Sequence, residues 1–128
     1  MSYLLDTHTF LWMAGDLSSL SAIALDIAEE KNNSLFLSAA SAWEIAMLQQ
    51  LNRVDLPDAP QSFIPEAMQK LNVLPIPMGV TTAISASTLP FIHRDPFDRI
   101  IIAEALEEKI TILIKDKQFA EYGVTTIW

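Results

Sequence analysis

Short apolar, β-prone runs punctuate the chain at Ser2–Leu5, Ser34–Ser38, Val73–Ile76, 110–114 and 124–128, and helix-patterned sequence lies between them. Strands that alternate with helices pair in parallel, because each crossover helix brings the chain back to the same end of the sheet, and right-handed crossovers cover both faces. The pattern predicts an α/β fold of three layers, a central parallel sheet flanked by helices, in a single domain over residues 1–128. Pro75 cannot donate to a ladder, so the third run is expected at an edge.

The intervening helices carry their own punctuation. One is expected from Thr7 to a stop at Gly15, and a second over 21–30, where Leu20, Ile23 and Ile27 share a face. A third is expected over 41–51, with Ser41-x-x-Glu44 in the form of a capping box. Ser62 is expected to cap a helix to Leu71 with Pro65 tolerated in its first turn, and 79–89 reads as a small-residue helix. Asp95 followed by Pro96 signals a helix to about Glu108, and 116–122 reads as a short helix ended by Gly123. Trp12, Phe36, Trp43 and Phe97 fall at core spacing, with Trp128 closing the last strand.

Composition narrows the function classes. The 128 residues are 51% hydrophobic, enough for a real core, and the absence of cysteine removes disulfides, thiolate nucleophiles and Cys-type zinc sites. The N-terminus lacks the layout of a signal peptide, and no segment approaches the roughly 20 apolar residues that span a bilayer. A soluble protein of the cytoplasm is expected, without a membrane partner. A net charge of −8 argues against broad adhesion to a polyanion, unless the acids gather around a divalent cation.

The acids fall where such a gathering is possible. Ligands of an open parallel sheet bind beyond the carboxyl ends of the strands. Asp6 and Asp116 directly follow the first and fourth runs, Glu44 follows the second, and Asp98 opens the helix that feeds the fourth. Crowded carboxylates resist shared ionisation unless a cation neutralises them, and an all-oxygen donor set suits Mg²⁺ or Mn²⁺. Such an ion activates water and stabilises the leaving oxygen of a phosphodiester, which is nuclease chemistry. Each acid also has a plainer reading: Asp98 and Glu44 as helix-start charges, Asp116 as an N-cap and Asp6 as a turn residue. Arg94, Arg99, Lys115 and Lys117, half of the eight Lys and Arg, lie near these acids with His8 and His93, and either form a substrate-holding rim or pair with neighbouring carboxylates. Neither histidine is assigned proton transfer.

The blocks Leu4-Leu5-Asp6-Thr7-His8, Ser41-Ala42-Trp43-Glu44-Ile45-Ala46, His93-Arg94-Asp95-Pro96-Phe97-Asp98-Arg99 and Thr125-Thr126-Ile127-Trp128 closely resemble PIN-domain toxins of the VapC type, in order and end to end. The His-Arg-Asp-Pro-Phe-Asp-Arg block marks a subgroup within them. The resemblance implies a PIN-like fold and an endoribonuclease using Mg²⁺ or Mn²⁺, the toxin of a type II toxin–antitoxin pair. It further implies RNA as substrate, a VapB-type antitoxin as partner and a homodimer or higher assembly. By position, Asp6, Glu44 and Asp98 match the family's principal acids, Asp116 its fourth, and Thr7 a hydroxyl beside the first, while Asp95 is read as a cap. The chain departs from relatives with Met47-Leu48 in place of Ile-Lys, with Lys115 before the fourth acid, and with Glu104 where Gln is common; these bear on substrate contacts and activity.

Two other readings compete. A PIN fold without catalysis, kept as a protein- or RNA-binding module, would suit the net acidity. A haloacid dehalogenase-type phosphatase would use Asp6 as nucleophile, but that chemistry needs a second Asp two residues on, where this chain has His8.

Overall fold

The computed structural model describes residues 1–128. In chain order the elements are β1 (Ser2–Leu5), α1 (Thr7–Gly15), α2 (Ala22–Glu29), β2 (Ser34–Ser38), α3 (Ala39–Gln50), α4 (Pro60–Leu71), β3 (Val73–Ile76), α5 (Val80–Thr88), α6 (Pro96–Glu108), β4 (Thr111–Leu113) and β5 (Thr126–Ile127). Short 3₁₀ segments at Leu17–Ser19 and Lys117–Tyr122 complete them. The five strands form one sheet in the order β3-β2-β1-β4-β5, and every neighbouring pair is parallel. The α/β architecture of three layers is therefore as the sequence pattern predicts, with Pro75 on an edge strand.

Alternation along β1 divides the core. Tyr3 and Leu5 face one side with Leu35, Leu37 and Val73, against Phe10 of α1, Ala24 and Ile27 of α2, and Ile64 and Ala67 of α4. Leu4 and Ile112 face the other side, against Ile101, Ile102 and Ala105 of α6 and Phe119. Ala40, Ala86, Phe97, Ile100 and Ala103 join α3, α5 and α6 in a third cluster. Both faces of β1 are sealed, which is why its run is continuously apolar rather than alternating.

Several boundaries move. Helix α3 starts at Ala39, because the Ser38 hydroxyl accepts from Ala40 N at 3.0 Å and serves as N-cap. Ser41 and Glu44 therefore sit inside the helix and form no capping box. Helix α4 starts at Pro60, and Ser62 lies within it; Pro65 falls past the first turn, inside the helix. Trp43 is 57% exposed rather than core, its edge resting on Phe97 with ring centroids 5.0 Å apart. Trp12 and Trp128 are half-buried and pack on each other at 5.7 Å.

Candidate functional site

The sheet changes direction of winding between β1 and β4: β2 and β3 add on one side of β1, then β4 and β5 on the other. Loops leaving adjacent strands in opposite directions open a crevice at such a switch point, beyond the carboxyl ends of the strands. Asp6 follows β1 there, and its backbone N–H donates to Leu113 O of β4 at 3.2 Å. Asp116 follows β4 on that same edge and caps the 3₁₀ segment, its Oδ1 accepting from Gln118 N at 2.9 Å. Helix α6 precedes β4 and runs back over the sheet, so its first turn, with Asp98, lies at that end too.

Local chemistry explains each placement. Asp6 is the N-cap of α1, its Oδ2 accepting from His8 N at 3.3 Å. Asp95 is the N-cap of α6, accepting from Phe97 N at 2.9 Å, and Pro96 occupies the first helical position. Glu44 is held from inside: Thr7 Oγ1 lies 2.6 Å from Glu44 Oε1 and 2.9 Å from Ser41 Oγ, all three side chains being buried. A hydroxyl has one proton to give, so Thr7 donates to the carboxylate and accepts from Ser41.

Electrostatics tie the acids together more tightly than hydrogen bonds do. Burial pushes the Asp98 carboxyl up to about 8, and the charges of Asp95, Asp6, Glu44 and Asp116 add to the rise. Burial likewise raises Asp6 and Glu44; His8 opposes the rise at Asp6, and the Thr7 hydroxyl opposes it at Glu44. Asp116 behaves differently: burial raises it, but the Gln118 N–H and His93 outweigh that and hold it below the ordinary range. The structure thus brings Asp6, Glu44 and Asp116 within electrostatic reach of Asp98, and Asp95, the N-cap of α6 as expected, adds a fifth charge.

No three acidic or imidazole side chains stand close enough to close a cage around an ion. The donors at this edge are carboxylate oxygens, the type Mg²⁺ takes one or two at a time while keeping several waters, and not the His or Cys set of a zinc site. The donor chemistry fits a hydrated divalent ion at this edge.

The basic residues divide. Arg94, Lys115 and Lys117 are exposed. Arg99 does not belong with them: it is 6% exposed, and its guanidinium donates to the carbonyls of Leu89 at 2.7 Å, Pro90 at 2.9 Å, His93 at 3.1 Å and Ser87 at 3.4 Å, with Phe91 stacked over it. Four bonds from the two ends of a planar fork satisfy a segment that has no ladder of its own, so Arg99 is a staple of the chain before α6 and not part of an open rim. The Ser41 hydroxyl and the His93 contact to Asp116 were not legible as site features, although the dense polar block 93–99 was a signal that side chains there serve more than capping.

Comparisons with known proteins agree with this geometry. The PIN domain family model matches residues 3–124. Ribonuclease VapC22 of Mycobacterium tuberculosis is 26% identical over 131 aligned residues, covering 98% of this chain and 97% of that protein. Ribonuclease VapC16 of the same organism is 38% identical over a shorter stretch of 50 residues, 39% of this chain and 36% of that protein. Among solved structures, VapBC2 of Rickettsia felis, bound to a promoter DNA fragment, has a chain that superposes with a TM-score of 0.71 at 16% identity, covering 99% of this chain and 98% of that one. FitAcB of Neisseria gonorrhoeae gives 0.62 at 18% identity, with 100% and 97% covered. A sheet in the order 3-2-1-4-5, acids crowding its switch point, and a family match over nearly the whole sequence lead to one conclusion: the chain belongs to the PIN-domain family and is homologous to VapC ribonucleases.

Proposed function

We propose that this protein is a single-domain, divalent-metal-dependent endoribonuclease of the His-Arg-Asp-Pro-Phe-Asp-Arg subgroup, acting as the toxin of a type II toxin–antitoxin pair in the cytoplasm. The observation that carries it is the gathering of Asp6, Asp98 and Asp116 at the carboxyl edge of the sheet in a chain whose PIN match spans residues 3–124, with the Asp98 carboxyl pushed up to about 8 by burial and by four neighbouring acids. Charge crowded this way is stabilised when a cation enters, and destabilising otherwise.

Asp6, Asp98, Glu44 and Asp116 are the residues that would hold Mg²⁺ or Mn²⁺. When bound, the ion neutralises the acids, activates water and supplies Lewis-acid stabilisation to the phosphodiester during hydrolysis. The chain's own residues do the positioning. Thr7 fixes one oxygen of Glu44 and leaves the other free of that bond. The N-terminus of α6 aims its backbone dipole at the same edge, which favours an anion such as a phosphate. Exposed Arg94, Lys115 and Lys117 are suited to steer an RNA backbone toward an otherwise acidic molecule.

A VapB-type antitoxin is the expected partner, since relatives of this fold are found in VapBC and other toxin–antitoxin complexes, and a homodimer is the expected assembly. The test is cleavage of an RNA pool by purified protein in Mg²⁺ or Mn²⁺ and its arrest by EDTA. Cutting that persists in EDTA would overturn the metal reading.

A further inference from the structure

We propose that His93 is a positioning residue that clamps the Asp116 carboxylate and so sets the fourth corner of the acidic centre; the inference rests on the metal-dependent reading above.

His93 Nε2 lies 3.2 Å from Asp116 Oδ2, and the imidazole is 9% exposed while the carboxylate is 47% exposed. A half-exposed acid is thus gripped by a group that is itself built into the protein. The ring stands edge-on to Phe119 at 4.8 Å between centroids and is tilted against Tyr122 at 5.6 Å. Its backbone is tied as well: the N–H donates to the Tyr122 hydroxyl, and the carbonyl accepts from Arg99 Nη1 at 3.1 Å. A side chain fixed at the ring, the amide and the carbonyl has little freedom left to lose when it orients a neighbour.

The unpaired ring nitrogen identifies the direction of the bond. His93 Nδ1 is buried with no hydrogen-bond partner. A proton there would be an orphaned donor, and it would leave the Nε2 lone pair facing Asp116 Oδ2 at 3.2 Å, an oxygen that can only accept. The geometry therefore selects the tautomer with its proton on Nε2, donating to Asp116. Since Asp116 Oδ1 already accepts from Gln118 N, both oxygens are engaged and the carboxylate has a single orientation. One N–H donor orients the group and leaves its negative charge available to a cation; an Arg or Lys there would neutralise it.

The clamp also joins two segments that depend on each other. His93 stands in the loop that Arg99 staples ahead of α6 and Asp98, and it grips the 3₁₀ segment that follows β4 and carries Asp116.

Mn²⁺ binding to the full chain, followed by loss of the free-ion EPR signal, tests this without RNA. His93→Phe keeps the aromatic packing and removes the donor, and is expected to weaken Mn²⁺ binding about tenfold, the lower end of what partners of metal-holding groups contribute. His93→Gln returns an N–H donor and should recover most of the loss. In an Asp116→Asn background, His93→Phe should weaken binding no further. Undiminished affinity in folded His93→Phe, or an equal added loss in the Asp116→Asn background, overturns the clamp. Imidazole ¹⁵N shifts of the wild-type protein in mildly alkaline buffer give an arm that needs no variant: the proton is expected on Nε2, and finding it on Nδ1 overturns the assignment. Asp98→Asn separates the two levels. If it abolishes Mn²⁺ binding while His93→Phe does not disturb it, only the clamp falls; if it too changes nothing, the acidic centre is not an ion site and the clamp falls with it.

Discussion

Helix α6 carries two carboxyls that burial pushes up, Asp98 to about 8 and Glu104 to about 7, and they differ in everything else. Asp98 sits in the first turn among other acids at the open edge of the sheet. Glu104 is 2% exposed in mid-helix, with Glu107 and Glu108 as its charged neighbours; the nearby Ser38 hydroxyl offsets part of the rise, although no bond of good geometry reaches either oxygen. Charge crowding at Asp98 can be relieved by a cation from solvent. The isolation of Glu104 can be relieved only by a proton. The same direction of shift thus marks a site in one case and a buried oddity in the other, and surroundings decide which.

Substitution gives the widest separation. Asp98→Asn should lower RNA cleavage by about 10²–10³-fold, as expected when several kcal/mol of charge stabilisation is lost, and should raise the Tm of ion-free protein by about 4 °C for each kcal/mol of repulsion relieved. Glu104→Gln should leave specific cleavage unchanged while also raising the Tm. A fall in cleavage for folded Glu104→Gln would erase the distinction. Ion binding comes next: saturating Mn²⁺, at a hundred times its Kd, should stabilise wild-type and Glu104→Gln protein by about 2.7 kcal/mol and leave Asp98→Asn nearly unmoved, as read by thermal melts.

The pH dependence is subtler. Unfolded carboxyls ionise near about pH 4, so between that value and about 7 for Glu104 or about 8 for Asp98 the native state holds more protons than the unfolded state. Stability of ion-free protein should therefore fall as pH rises across that window and level off above it. Saturating Mn²⁺ should abolish the Asp98 share and leave the Glu104 share; melts that keep the whole slope would show the ion binding elsewhere. The smallest effect is expected for Glu107→Gln, which removes one raising neighbour of Glu104 and the carboxylate that Thr82 bonds at 2.6 Å, and should move the Tm by only about 1–2 °C with cleavage intact.

Architecture was the more legible part of this molecule, because strand-helix alternation is a global pattern that survives local error. The acids could be singled out for the same reason: each follows or precedes a strand. Caps were less legible. Ser41 has the residue type and spacing of an N-cap, but the Ser38 hydroxyl takes that part, accepting from Ala40 N at 3.0 Å, and Ser41 is buried one turn inside. Arg99 is not legible as a staple, because a guanidinium near acids has the pattern of a surface group and nothing in the sequence places the carbonyls of Ser87, Leu89, Pro90 and His93 around it. Trp43 has helical spacing suitable for a core, yet its neighbour Glu44 turns inward to Thr7 and leaves the indole outside.

The outermost strands bear on how this protein can meet others. β3 carries Pro75, and β5 is two residues long, Thr126–Ile127. Neither border offers the long row of free amides and carbonyls on which a foreign strand could zip, so growth of the sheet by β-augmentation, and the edge-to-edge aggregation that goes with it, is suppressed at both margins. A chain that met this one would be received on helices and on the loops above the sheet, where recognition depends on side chains and is correspondingly open to specificity.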